Sequence, residues 1–129
     1  MRKPGLLPNH VAKKIQEINK RYPNINYGGC GAFSYYLHQT LKKKYGQEVS
    51  IVYIPCEKTP ENAFGVKFRH MMVSWKNWYI DNNGFYSNHS KGIEISPRTL
   101  KAMIDVPHLW NSQFEKSNTE SMIEDLKRI

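Results

Sequence analysis

The chain has 129 residues, 40% of them hydrophobic, and its 3 Trp, 8 Tyr and 5 Phe suffice for one compact core. A single domain over residues 1–129 is therefore expected, and the composition speaks against disorder. No apolar run approaches the roughly 20 residues that cross a bilayer, and MRKPGLLPNH offers only Leu6-Leu7 as an apolar centre, too little for a secretory leader; the expectation is a cytoplasmic protein with no membrane partner. The formal charge of +8 favours acidic partners, nucleic acid included. Much of it lies in Lys13-Lys14, Lys20-Arg21 and Lys42-Lys43-Lys44, on expected helix surfaces or ends, where a solvated face is the commoner use.

Asn9 can cap a first helix that runs to about Lys20 with Val11, Ile15 and Ile18 on one side. Tyr22-Pro23 ends it, and Asn24–Gly29 reads as a loop. A second helix is expected from Cys30 to Tyr45, with Cys30, Phe33, Leu37 and Leu41 as its buried stripe and Gly46 as its stop. Val49–Ile54 reads as a strand, and residues 55–66, with their prolines and glycine, as a long loop. Lys67–Trp75 and Trp78–Asp81 read as two strands joined at Lys76-Asn77, the second ended by Asn82-Asn83-Gly84. A further strand is expected at Gly92–Ile95. Ser96-Pro97 opens a helix with Leu100, Met103 and Ile104 inward. A last helix from Asn118 or Thr119 carries Met122, Leu126 and Ile129 to the core. This order predicts the α+β class: N-terminal helices packed on a small antiparallel sheet, with C-terminal helices.

Two cysteines, Cys30 and Cys56, are too few for a disulfide framework, although the two could pair. No C-x-x-C occurs, and His10, His38, His70, His89 and His108 show no ligand spacing, so neither metal nor cofactor is expected. The stretch YGGCGAF (27–33) places Cys30 among glycines at a helix start. Unpaired amides and the macrodipole favour negative charge there, and the thiolate is the nucleophilic form. Gly28 and Gly29 would let a substrate's backbone come close, and the same amides could stabilise an oxyanion.

A cysteine nucleophile needs a base, and the base an orienting partner. If the hairpin folds symmetrically about Lys76-Asn77, Trp75 lies opposite Trp78, Ser74 opposite Tyr79, Met72 opposite Asp81 and His70 opposite Asn83. His70 and Asp81 then become diagonal neighbours on one face, with Cβ atoms on the order of 7 Å apart. A one-residue slip would separate them.

GGCGAFSYYLHQTLKKKYG followed by HMMVSWKNWYIDNNGF resembles the core of papain-like cysteine enzymes in the broad sense, a superfamily that includes transglutaminase-like proteins, arylamine N-acetyltransferases and small bacterial and phage proteins. The resemblance covers residues 27–86, and H-[apolar]-x-V with Y-I-D-x-x-G is its most telling part. It implies a papain-like (transglutaminase-like) fold, Cys30 as nucleophile, His70 as base and Asp81 as orienter. Papain-type proteases carry a Gln six positions before the cysteine as an oxyanion donor; Asn24 stands at that offset here, with Asn26 and Tyr27 as rivals and Gly29 beside the sulfur. Gly31 replaces the aromatic residue that follows the papain cysteine, and the chain is much shorter than a papain protease. These departures point away from endopeptidase action and toward amidase, deamidase, acyltransferase or transglutaminase-type chemistry. The expected substrate is a protein, a peptide or a small acyl or amide compound.

Each residue also has a plainer use. Cys30 could be a small buried hydrophobe, His70 a satisfied strand histidine and Asp81 a turn residue. His38 lies too far along its helix to serve Cys30, while His89, Cys56 and His108 read as structural or surface residues, and Trp75, Trp78 and Tyr79 as sheet packing. The competing function is a basic binding module for nucleic acid or an acidic protein, which includes an inactive papain-like inhibitor protein.

Overall fold

A computed structural model of the chain describes residues 9–23, 25, 29–46, 48–56, 66, 68–81, 84–86, 92–106 and 116–129. The first helix, α1 (Asn9–Arg21), buries Val11, Ile15 and Ile18, the expected stripe. The second, α2 (Cys30–Tyr45), buries Cys30, Phe33, Leu37 and Leu41, and also Ala32, Ser34, His38 and Thr40. This wider buried arc follows from its place: α2 packs on the sheet and also meets two later helices. It stops at Gly46, whose φ of +95° suits glycine and whose N–H is donated to the Lys42 carbonyl at 3.0 Å.

The strands are β1 (Val49–Pro55), β2 (Phe68–Trp75), β3 (Trp78–Asp81), β4 (Gly84–Tyr86) and β5 (Ile93–Ile95). They form one antiparallel sheet in the order β4-β3-β2-β1-β5. The hairpin β2–β3 pairs Trp75 with Trp78, Ser74 with Tyr79 and Val73 with Ile80, the expected register. Lys76 (φ 52°) and Asn77 (φ 66°) both take positive φ, the mark of the two-residue type I′ turn whose twist matches the flanking strands.

One strand was not expected. After Asp81 the chain doubles back, and β4 pairs Asp81 with Gly84, Ile80 with Phe85 and Tyr79 with Tyr86. Three residues are too short for a run-length signal, so Asn82-Asn83-Gly84 reads as an end, although Gly84 begins a strand paired with β3. Residues 82 and 83 themselves lie outside the described residues, as do Gly28, His89 and His108.

Two further helices complete the described residues, α3 (Pro97–Ile104) and α4 (Lys116–Lys127). The Ser96 Oγ accepts the Thr99 N–H at 3.1 Å, a cap that contributes about 1 kcal/mol. Leu100 and Met103 are fully buried, while Ile104, expected inward, is half-buried against their cluster. Helix α4 starts at Lys116, two residues before the earlier of its expected starts, and buries Met122 and Leu126, with Ile129 beyond its end.

The main core joins α1, α2 and α4 to Val49, Val73, Trp75 and Ile80. A second cluster sets Cys30 with Ile51, Val66, Met71, Ile95, Leu100 and Met103. A third, small cluster of Val52, Ile54 and Met72 with Tyr79 lies at the alternate strand positions, which point to the other side of the sheet. The architecture is α+β, with four helices and five antiparallel strands among the described residues. No helix among them is long and apolar enough to cross a membrane.

Candidate active site

His70 lies on β2, a central strand, and Asp81 closes the neighbouring β3. The predicted diagonal is realised: His70 Nε2 donates to Asp81 Oδ2 at 2.8 Å. The pairing of β1 with β2 shifts register between Ile54, opposite His70, and Pro55, opposite Phe68. Such bulges re-aim side chains at the ends of ladders. Both partners are withdrawn from water, with the His70 side chain 20% exposed and that of Asp81 7%.

The Cys30 sulfur stands near enough to the His70 ring to raise its affinity for a proton. With Nε2 engaged by Asp81, Nδ1 is the ring atom left for the sulfur. Burial alone would lower the ring's pKa. The hydrogen bond with Asp81 and the nearby Cys30, together with the charges of those two groups, reverse this and hold it at about 9, against an ordinary 6.5. At neutral pH the ring is thus an imidazolium between a carboxylate and a sulfur.

Cys30 is the first residue of α2, and no side chain caps that end. It is only 6% exposed and forms no disulfide with Cys56, which is half-buried. The Gly29 N–H is donated to the Ile25 carbonyl at 2.6 Å, so this amide already has a partner. Asn24, Asn26 and Tyr27 lie outside the described residues.

Asp81 is held by more than the sequence reading offered. Gly84 donates its N–H to Oδ1 at 3.1 Å. Tyr86 is a diagonal neighbour of Asp81 across the β3–β4 pair; burial and the nearby Asp81 carboxylate hold its phenol above its ordinary 10.0. The signal was available. The β3–β4 pairing sets Asp81 opposite Gly84 and Tyr79 opposite Tyr86, which makes Tyr86 a diagonal neighbour of Asp81.

His38 stands apart from this group. Its Nε2 donates to the Val49 carbonyl at 3.0 Å, and burial lowers its pKa, which keeps the ring neutral. The lysines of α1 and α2 are exposed, as a solvated face requires. Among the described residues no three His, Cys, Asp or Glu side chains are grouped to hold a metal ion. No protein-family model, curated protein or solved structure matches the chain.

Proposed function

We propose that the chain is a thiol-dependent hydrolase or acyl transferase that acts on an amide, isopeptide, ester or thioester bond through Cys30, His70 and Asp81. The observation that carries this reading is the hydrogen bond between His70 and Asp81, with Cys30 near enough to the ring to raise its affinity for a proton. A helix that begins with a cysteine and packs on a hairpin bearing the histidine and the aspartate supports reading the core as papain-like.

In this mechanism Asp81 orients the His70 ring, and His70 takes the proton of the Cys30 thiol to give the attacking thiolate. The thiolate attacks the carbonyl carbon, and the carbonyl π-bond opens to an oxyanion. With the Gly29 amide committed, the first-turn amides of α2, beginning with that of Cys30, are the donors nearest the sulfur by position. The tetrahedral species collapses and breaks the bond to the leaving amine, alcohol or thiol, which takes the proton from His70. The acyl-thioester passes to water or another acceptor, whose proton goes to His70 as the thiolate departs.

Alkylation order tests the reading. Exposure alone would make Cys56 react first, since Cys30 is the more buried. Ion pairing predicts the opposite order. Iodoacetamide at pH 7, followed by peptide mass analysis, is expected to modify Cys30 at least tenfold faster than Cys56. Slow, equal modification of both would refute the proposal.

A second reading rests on the exposed Lys43, Lys44 and Lys127, which line a cleft of about 440 Å³ with Gln39 and Thr40. Such a surface suits an acidic protein or nucleic acid. It predicts binding that weakens steeply between 50 and 200 mM salt, on the order of a hundredfold or more if several phosphates are contacted, and that is unaffected by Cys30→Ala. Salt-independent binding would remove it.

A further inference from the structure

We infer that Tyr86 is a positioning residue for the proposed triad: its hydroxyl locks the Asp81 carboxylate in the orientation from which it holds the His70 ring. The inference rests on the reading of Cys30, His70 and Asp81 given above, and extends it to the next strand, β4.

An ionised carboxylate has about four acceptor sites, and a single donor leaves it free to turn about its Cβ–Cγ bond. Asp81 is held from two strands. His70 of β2 occupies Oδ2 at 2.8 Å, and Gly84 of β4 occupies Oδ1 at 3.1 Å. Tyr86, also from β4, stands diagonal to Asp81 across the β3–β4 pair, within reach of a tyrosine side chain, and the carboxylate raises its phenol's pKa. Asp81 is 5% exposed, so a lost donor would not be freely replaced by bulk water. Strand β4 has three residues and sits at the sheet edge. Of the three, Gly84 bonds to Asp81 and Tyr86 stands at its diagonal.

The test compares wild type, His70→Gln and Tyr86→Phe by the rate of Cys30 alkylation with iodoacetamide from pH 4 to 9. Tyr86→Phe keeps the ring and removes only the hydroxyl. The expected result is a fall of about tenfold in the rate at pH 7, as for one lost hydrogen bond to a charged group. The acid limb of the profile should also move to higher pH, because a loosely held carboxylate supports the imidazolium less well. A merely structural tyrosine would lower the melting temperature and leave that limb in place, and this outcome would overturn the inference. A second measurement does not depend on that variant. In protein carrying ¹³Cζ-labelled tyrosine, Tyr86 should titrate above its ordinary 10.0, and Asp81→Asn should bring it down. An unmoved Tyr86 titration would also overturn the inference. The two failures remain distinct. A wild-type Cys30 no faster than Cys56 sinks the triad and this inference with it. A fast wild type slowed by His70→Gln but not by Tyr86→Phe sinks only the role of Tyr86.

Discussion

Replacing His70 by Gln is expected to slow the alkylation of Cys30 at pH 7 by about a hundredfold to a thousandfold, the range spanned by loss of a positioned acid–base group. Glutamine retains an amide that can bond to Asp81 but cannot carry the proton. What is lost is therefore the imidazolium, while most of the volume stays. If the rate is unchanged, the sulfur owes nothing to the ring. The same variant should alter how stability depends on pH. The folded-state pKa of His70 is raised from 6.5 to about 9. The folded chain therefore binds a proton that the unfolded chain has released between these values. The contribution is fully present below pH 6.5 and is lost as pH rises through about 9. The wild-type melting temperature should fall across this interval, and His70→Gln should flatten that part of the curve. Thermal melts at half-unit pH steps from 6 to 9.5 would show it. A wild-type curve already flat across the interval would contradict the environment described for the ring.

Phe33→Ala is expected to destabilise the chain by about 3–5 kcal/mol, the usual loss for a large aromatic side chain removed from a core. Phe33 is 1% exposed and stands in the main cluster with Leu37, Leu41, Val73 and Ile80. For a domain of this size the melting temperature should drop by roughly 10–20 °C. The effect should extend to the site. Phe33 lies one turn after Cys30, and its N–H is donated to the Gly29 carbonyl at 2.9 Å, the bond that closes the first turn of α2. Looser packing there loosens the seat of the sulfur, so the alkylation advantage of Cys30 over Cys56 should shrink even at temperatures where the variant remains folded. A variant with unchanged melting behaviour would mean that α2 does not rest on this side chain.

Much of this arrangement could be read from the residues, for identifiable reasons. The stripe on α1, the glycine stop of α2 and the Ser96 cap are local signals, and each was in place. The His70–Asp81 contact was legible because a two-residue turn fixes parity, and parity decides which side chains share a face. Strand β4 was missed because its three residues carry no periodicity of their own; only their pairing with β3 makes them a strand. Tyr86 was missed with it. The breadth of burial on α2 was equally unreadable, since Ser34, His38 and Thr40 look like a polar face until α3 and α4 pack around the helix. Commitment of the Gly29 amide to Ile25 depends on how the chain turns before α2, which composition does not encode.

Lys76 and Asn77 lie roughly 15–20 Å from the imidazole at about 3.3 Å per strand residue, and neither takes part in any chemical step. Their number nevertheless governs it. Lengthening or trimming that tip by a single amino acid would roll one arm of the ribbon half a revolution against the other and part base from carboxylate, with every reactive group still present. Other surface connections can grow or shrink at modest entropic expense; here, loop length is itself a component of the active centre.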